Sequence, residues 1–249
     1  MKYTIVTFLW GNWEMQDGGI CYVHALAAGV ARHFSKPYRF VVLTDHPASE
    51  FNKDITVIPF DCPDYLGNLK KMAMFRRENG FEGRIMALDL DTVVLGDFSG
   101  LMENTVQKFT TCECPYHLRW IGGGIHCFDA GFGHYELWQP VVDQQAFWEQ
   151  QSRGSERIYL TMRFKDSGIA TDFWQRRFPK QVVSFKSECR WHIVPEEAKL
   201  VWFHGVPRPH QCMEIEWIRD NWLKGTTNAL GFAIRPEETG IVTSLGKGI

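Results

Sequence analysis

Four short apolar runs fall within the first 88 residues: "YTIVTF" (3–8), "YRFVVL" (38–43), "ITVIPF" (55–60) and "RIMAL" (84–88). Each has the length of a strand, and the first three are rich in β-branched or aromatic residues. Between the first two, "GICYVHALAAGVARHF" (19–34) spaces its apolar residues as a helix does and stops before Ser35-Lys36-Pro37. A second helix is expected over about 66–77, ended by Asn79-Gly80. Strands alternating with helices predict an α/β chain built on a βαβ-type sheet.

The second half is less regular. "GGGIHCFDAG" (122–131) reads as a strand entered through glycines, and residues 135–151 as a helix. "TDFWQRRF" (171–178) reads as a short helix opened by Thr171 or Asp172. "VVSF" (182–185) and "LVWFHG" (200–205) read as strands, and "EIEWIRDNW" (214–222) as a helix. From Gly225 the apolar pattern weakens, which predicts a poorly packed extension.

Composition matters here for what it excludes. A formal net charge of −2 gives no general attraction for nucleic acid or an anionic membrane. No apolar stretch approaches the roughly 18 residues needed to span a bilayer. The seven cysteines are odd in number and lack a framework spacing, and the start reads as a strand rather than a signal peptide, so a reducing cytoplasm is the expected compartment. Cys112 and Cys114 form a lone CxC without the second pair a zinc site needs.

The chemistry concentrates in "RIMALDLDTVVLGDF" (84–98). Asp89 and Asp91 stand where a buried strand stops, although carboxylates are rarely buried unless paired or bound to a metal. Ligands of open α/β sheets bind at the carboxyl ends of the strands. Two carboxylates one residue apart on an extended segment project to the same side, and their oxygens suit Mg²⁺ or Mn²⁺. The plain alternative is an acidic turn. Two enzyme readings remain open. In phosphatases of the haloacid-dehalogenase type, DxDx[TV] makes the first aspartate (here Asp89) a nucleophile and the second a general acid. In nucleotide-sugar-dependent transferases, DxD instead holds a metal on the donor diphosphate. "FHGVPRPH" (203–210) adds His204, a candidate third metal ligand, and Arg208, suited to phosphate oxygens.

From about residue 3 to 222 the chain resembles bacterial glycosyltransferases close to glycosyltransferase family 8. The pieces stand in family order: "TFLWGNW" with "YVHAL", "VVLTDHP", "KKMAMF", "LDLDTVVLGD", "IGGGIHCFDAG", "TDFW", "VSFKSECRW" and "FHGVPRPH". The resemblance implies a GT-A, Rossmann-like mixed sheet flanked by helices, in one domain over 1–224. Its donor-binding half would be about 1–100, its acceptor side about 101–224, with residues 225–249 an extension. It also implies metal-dependent transfer, with retention, of a sugar from a nucleotide-diphosphate donor, UDP-linked, to an acceptor hydroxyl.

The same resemblance distributes roles. Asp89, Asp91 and His204 would bind Mn²⁺ or Mg²⁺. Lys71 and Arg208 would neutralise the diphosphate, with Lys186 assisting. Thr7, Trp10 and Gly11 would border the nucleobase or ribose. Thr44, Leu90 and Gly205 fall in donor-contacting segments, and Gly122 and Gly123 in the strand that lines the sugar. Asp172 would lie close to the sugar. Some positions depart from the family pattern: Gly122 and Gly123 replace polar residues, Phe173 follows Asp172 where glutamine is common, and His210 stands where tryptophan is usual. A non-catalytic nucleotide-sugar-binding protein is therefore a third reading. The acceptor, whether saccharide, protein, small glycoside or modified DNA base, is left open.

Overall fold

In the computed structural model, residues 2–11, 19–60, 64–105 and 108–222 are described. Asn12 and Trp13 of the opening loop and the expected extension from Gly225 lie outside them. The four apolar runs form β1 (Tyr3–Leu9), β2 (Arg39–Thr44), β3 (Ile55–Pro59) and β4 (Arg84–Leu88). They pair in parallel in the order β3-β2-β1-β4, with Ile5 opposite both Phe40 and Met86. The sheet continues antiparallel through β7 (Ile121–Asp129) to β6 (Phe109–Glu113), and ends with β8 (Thr171–Phe173) parallel to β6. A smaller sheet has β10 (Leu200–Trp202) between β5 (Thr92–Val94) and β9 (Val182–Ser184).

Both faces of the large sheet are covered, which is why its central strands are largely apolar, with Thr4 and Thr7 the buried polar residues of β1. Ile5, Leu9, Val42, Met86 and Leu88 pack on one side with Val23, Leu26 and Val30 of the helix Ile20–His33. The alternate residues Val6, Phe8, Val41, Leu43, Ile85 and Ala87 face the other side, against Met72, Leu137, Tyr159 and Phe164. The chain runs from β1 outward to β3, then returns to place β4 on the opposite flank of β1. That reversal opens a crevice at the carboxyl ends of β1 and β4.

Three expected helices are corrected. Residues 66–77 form a 3-10 helix, Gly67–Phe75, in which Leu69, Met72 and Phe75, three apart, share a buried face as that geometry requires. The expected helix 135–151 is broken into a π turn His134–Trp138 and the helices Gln139–Asp143 and Gln145–Ser152, with Pro140 removing an N–H and Gln144 leaving helical geometry. Thr171–Phe173 is an edge strand, and only Trp174–Arg177 turns as a helix. Thr and Phe favour a strand, and the free edge of β6 pairs with them. The longest helix not expected from the apolar pattern is Glu156–Ser167, started by Ser155, whose side chain accepts from the Ile158 N–H, and stopped by Gly168 at φ +64°.

Candidate active site

The crevice is a cavity of about 500 Å³. Trp10 extends from β1, Asp89, Leu90 and Asp91 from β4, and Gly122, Gly123 and Gly124 from the start of β7. His204, Gly205 and Arg208 follow β10, and Lys71 comes from the 3-10 helix. Ten of the residues expected from the sequence therefore line one space: Trp10, Lys71, Asp89, Leu90, Asp91, Gly122, Gly123, His204, Gly205 and Arg208.

The backbone explains why glycines stand on the β7 side. A Cβ on Gly122 would lie 2.8 Å from the Glu113 carbonyl oxygen of the paired strand. Gly123 has φ +79° and open space where its Cβ would be, so the chain presents bare backbone there. The Asp89 N–H donates to the Gly124 carbonyl at 2.8 Å, which ties the aspartate turn to this strand.

Charge in the cavity is organised around three acids. Asp89 pairs with Lys71, and Asp91 with Arg208 at 3.2 Å. Lys71 also reaches Glu156 at 2.9 Å. The other oxygen of Glu156 meets His126 Nε2, and His126 Nδ1 meets the Thr111 hydroxyl at 2.8 Å. Burial lifts Asp91 to about 7, and the neighbouring Asp89 charge adds to it. Asp89 is raised as well, chiefly by burial. Burial works against the Glu156 charge, but Lys71 and His126 overcome it and hold the carboxyl at about 2. Burial also opposes charge on Lys71, yet Asp89 and Glu156 keep it above the ordinary lysine value.

His204 hydrogen-bonds Ser184 through Nε2 at 2.8 Å. Burial, then the nearby cations Lys186 and Arg157, lower it to about 4, so its imidazole is neutral near pH 7. Lys186 Nζ lies 3.5 Å from where a Cβ on Gly205 would stand, beside the cavity rather than in its lining.

The donor set was tested for fit to Mn²⁺ or Mg²⁺. Burial raises both carboxylates and the Asp89 charge raises Asp91 further, a strain that a divalent cation relieves, and hard oxygen donors suit these ions. His204 lines the same space but faces Ser184, and no three carboxylate, imidazole or thiol groups among the described residues are gathered tightly enough to hold an ion. The carboxylate pair has the right donor chemistry, each member now ion-paired with Lys71 or Arg208, and His204 joins only by exchanging its Ser184 bond.

Four expected site residues lie elsewhere. Thr7 is buried and donates to the Leu88 carbonyl at 2.8 Å, which locks β1 to β4. Thr44 accepts from the His46 N–H at the end of β2. Gly11 is exposed, its N–H directed at the Asp45 carboxylate. Asp172 sits in β8 at the sheet edge, its Oδ1 accepting from the next N–H, and is not part of the cavity lining; the strand that replaces the expected helix puts it there. In turn, the sequence reading missed Glu156, Arg157 and His126. Ser155 before Glu156 was the one local signal, a helix start that delivers a carboxylate to the cavity.

Comparison with solved structures bears on this arrangement. Galactosyltransferase LgtC, solved with donor and acceptor sugar analogues, superposes with a TM-score of 0.62 over 95% of this chain and 99% of its own, at 10% identity. The fold is that of the GT-A glycosyltransferases. Glycosyltransferase GlyE of Streptococcus pneumoniae TIGR4 matches at TM-score 0.58 and 16% identity, over 84% of this chain and 56% of its own. The bifunctional glycosyltransferase WbbM matches at 0.58 and 12% identity, over 91% and 50%. At these identities the likeness is one of GT-A fold. No family model matches the sequence, and no curated protein does. Among the described residues no helix is long and apolar enough to cross a membrane.

Proposed function

We propose that the protein is a metal-dependent glycosyltransferase that moves a sugar from a nucleotide-diphosphate donor, UDP-linked, to an acceptor hydroxyl with retention. The observation that carries the reading is the pair of half-buried Asp89 and buried Asp91 at the crevice where the strand order reverses, ringed by Lys71, Arg157 and Arg208 and faced by bare glycine backbone. Asp89 and Asp91 would hold Mn²⁺ or Mg²⁺, with His204 as the third ligand. Such an ion, when bound, supplies charge neutralisation to the departing diphosphate.

The remaining work falls to the chain itself. Lys71 and Arg208, now paired with the two aspartates, are cations within reach of the same space. A donor diphosphate draws them from carboxylate to phosphate oxygens, and Arg208 offers a bidentate fork. Arg157 and Lys186 add positive charge beside His204. Trp10, at 5.7 Å from the Phe60 ring, walls the end of β1 where a nucleobase would lie. Gly123 lets the sugar approach the main chain closely. Asp172 keeps no role at the sugar; Glu156 is the carboxylate that the cavity offers instead.

The test is a panel of nucleotide sugars with Mn²⁺, followed by UDP release and thermal shift. Expected are Mn²⁺-dependent release of UDP and a loss of about 10²–10³ in rate for Asp91→Asn. Release of inorganic phosphate from phosphomonoesters, abolished by Asp89→Asn, would replace this reading with the phosphatase one. No stabilisation by any nucleotide sugar would end it.

A further inference from the structure

The loop joining β6 to β7, residues 115–120, carries large apolar side chains into solvent. Tyr116 is 63% exposed, Leu118 81% and Trp120 42%. Scattered apolar residues on a surface are ordinary, but a run of them beside a cavity marks a place where something binds. The loop is not remote from the candidate site. The Tyr116 ring meets the His204 imidazole edge-on at 5.9 Å, and the chain passes from Trp120 through Ile121 directly into the cavity-lining glycines.

Nor is the loop a loose excursion. The Cys114 N–H donates to the Trp120 carbonyl at 2.8 Å, and the Trp120 N–H to the His117 carbonyl at 3.2 Å. Arg119, at φ +66°, donates its N–H to the Glu113 carboxylate, which is itself ion-paired with Arg176. These bonds hold the rings outward, so ordering them does not have to be driven by the ligand.

We propose that residues 115–120 form the acceptor subsite, and that it takes an uncharged pyranoside with the C–H face of the sugar against Tyr116 and Trp120. This rests on the glycosyltransferase reading above. A pyranose has an apolar face and a polar rim. The loop answers both: Tyr and Trp offer rigid faces with polar edges, while His117, in ring contact with Trp120 at 5.3 Å, and Arg119 supply groups for hydroxyls. The position also suits the chemistry, because an acceptor resting on Tyr116 lies next to His204 of the cavity lining.

The experiment compares wild type with Tyr116→Ala and Trp120→Ala. Acceptor KM and kcat are measured with methyl β-galactopyranoside, methyl α-glucopyranoside and lactose, UDP affinity is measured with Mn²⁺, and saturation-transfer NMR is run on the same glycosides. Neither side chain belongs to a core cluster, so the variants fold. Expected is a rise of about tenfold in acceptor KM with kcat and UDP affinity nearly constant, and loss of saturation transfer to the glycoside. Unchanged acceptor KM, or a loss of UDP affinity equal to the rise in KM, overturns the assignment. Absence of glycoside contact in wild type overturns it too. Saturation transfer that depends on Tyr116 in a protein that neither binds UDP nor turns over any nucleotide sugar would instead sink the glycosyltransferase reading and leave the saccharide subsite standing.

Discussion

Glu156 is the residue on which the charge order of the cavity turns, and replacing it with alanine gives a prediction with a magnitude. Its side chain is 5% exposed, with one oxygen at His126 and the other 2.9 Å from Lys71. The depression of its carboxyl from 4.5 to about 2 corresponds to roughly 3 kcal/mol of native-state stabilisation at neutral pH. Breaking a buried ion pair from one side costs about 3–5 kcal/mol, which agrees. For a chain of this size that lowers Tm by about 6–12 °C. The assay is urea denaturation at pH 7 without metal. Glu156→Gln falls between alanine and wild type, because an amide has one acceptor oxygen for two donors, yet His126 can accept at Nε2 if Nδ1 donates to Thr111. The sign with pH follows from the depressed value: the contribution is present above about 4.5 and fades as pH falls through about 2. Alanine costing under about 1 kcal/mol at pH 7, or a wild-type advantage that grows on acidification, would refute the reasoning.

Asp91 gives the opposite slope: raised to about 7, it retains a proton in the fold that the unfolded chain has released, so metal-free protein loses stability as pH climbs from about 4 to 7. Thermal melts in EDTA should show this slope, and Mn²⁺ or Asp91→Asn should flatten it. His46 places both ring nitrogens against acceptors, the Glu50 carboxylate at 2.9 Å and the Gly11 carbonyl at 3.2 Å, so only the imidazolium donates to both. Burial opposes that charge, but Glu50, the Gly11 carbonyl and Asp45 raise it above the ordinary value; its contribution is complete below about 6.5 and is lost as pH rises through the folded value, a dependence that His46→Ala removes from the melting profile. Gly122→Ala should cost about 1–3 kcal/mol in denaturation, since its Cβ meets main chain at 2.8 Å and β6 and β7 must part to admit it.

What could be read from the chain, and what could not, divides along a physical line. The first four strands were legible because burial on both faces leaves them largely apolar, and the reversal at β4 put Asp89 and Asp91 at the cavity the motif called for. The later elements answer to partners rather than to their own periodicity. Thr171, Asp172 and Phe173 became a strand because the edge of β6 was open, and a helix-capping signal cannot register a vacant edge. Glu156 was invisible for a related reason. A glutamate one residue after a helix-starting serine usually serves the helix dipole at a solvated end. Here the same position is buried, and what holds it is Lys71, which lies 85 residues earlier, and His126, which lies 30. A local pattern announces a carboxylate pair on one turn, as at Asp89 and Asp91. A carboxylate whose partners stand on two other elements announces nothing until the sheet brings them together. The consequence for this cavity is that its acids are not equivalent: burial raises Asp91 well above the ordinary carboxylate value, while Lys71 and His126 hold Glu156 below it. A cation entering the crevice therefore gains most at Asp89 and Asp91, and Glu156 keeps its claim on Lys71 after Asp89 has been drawn away.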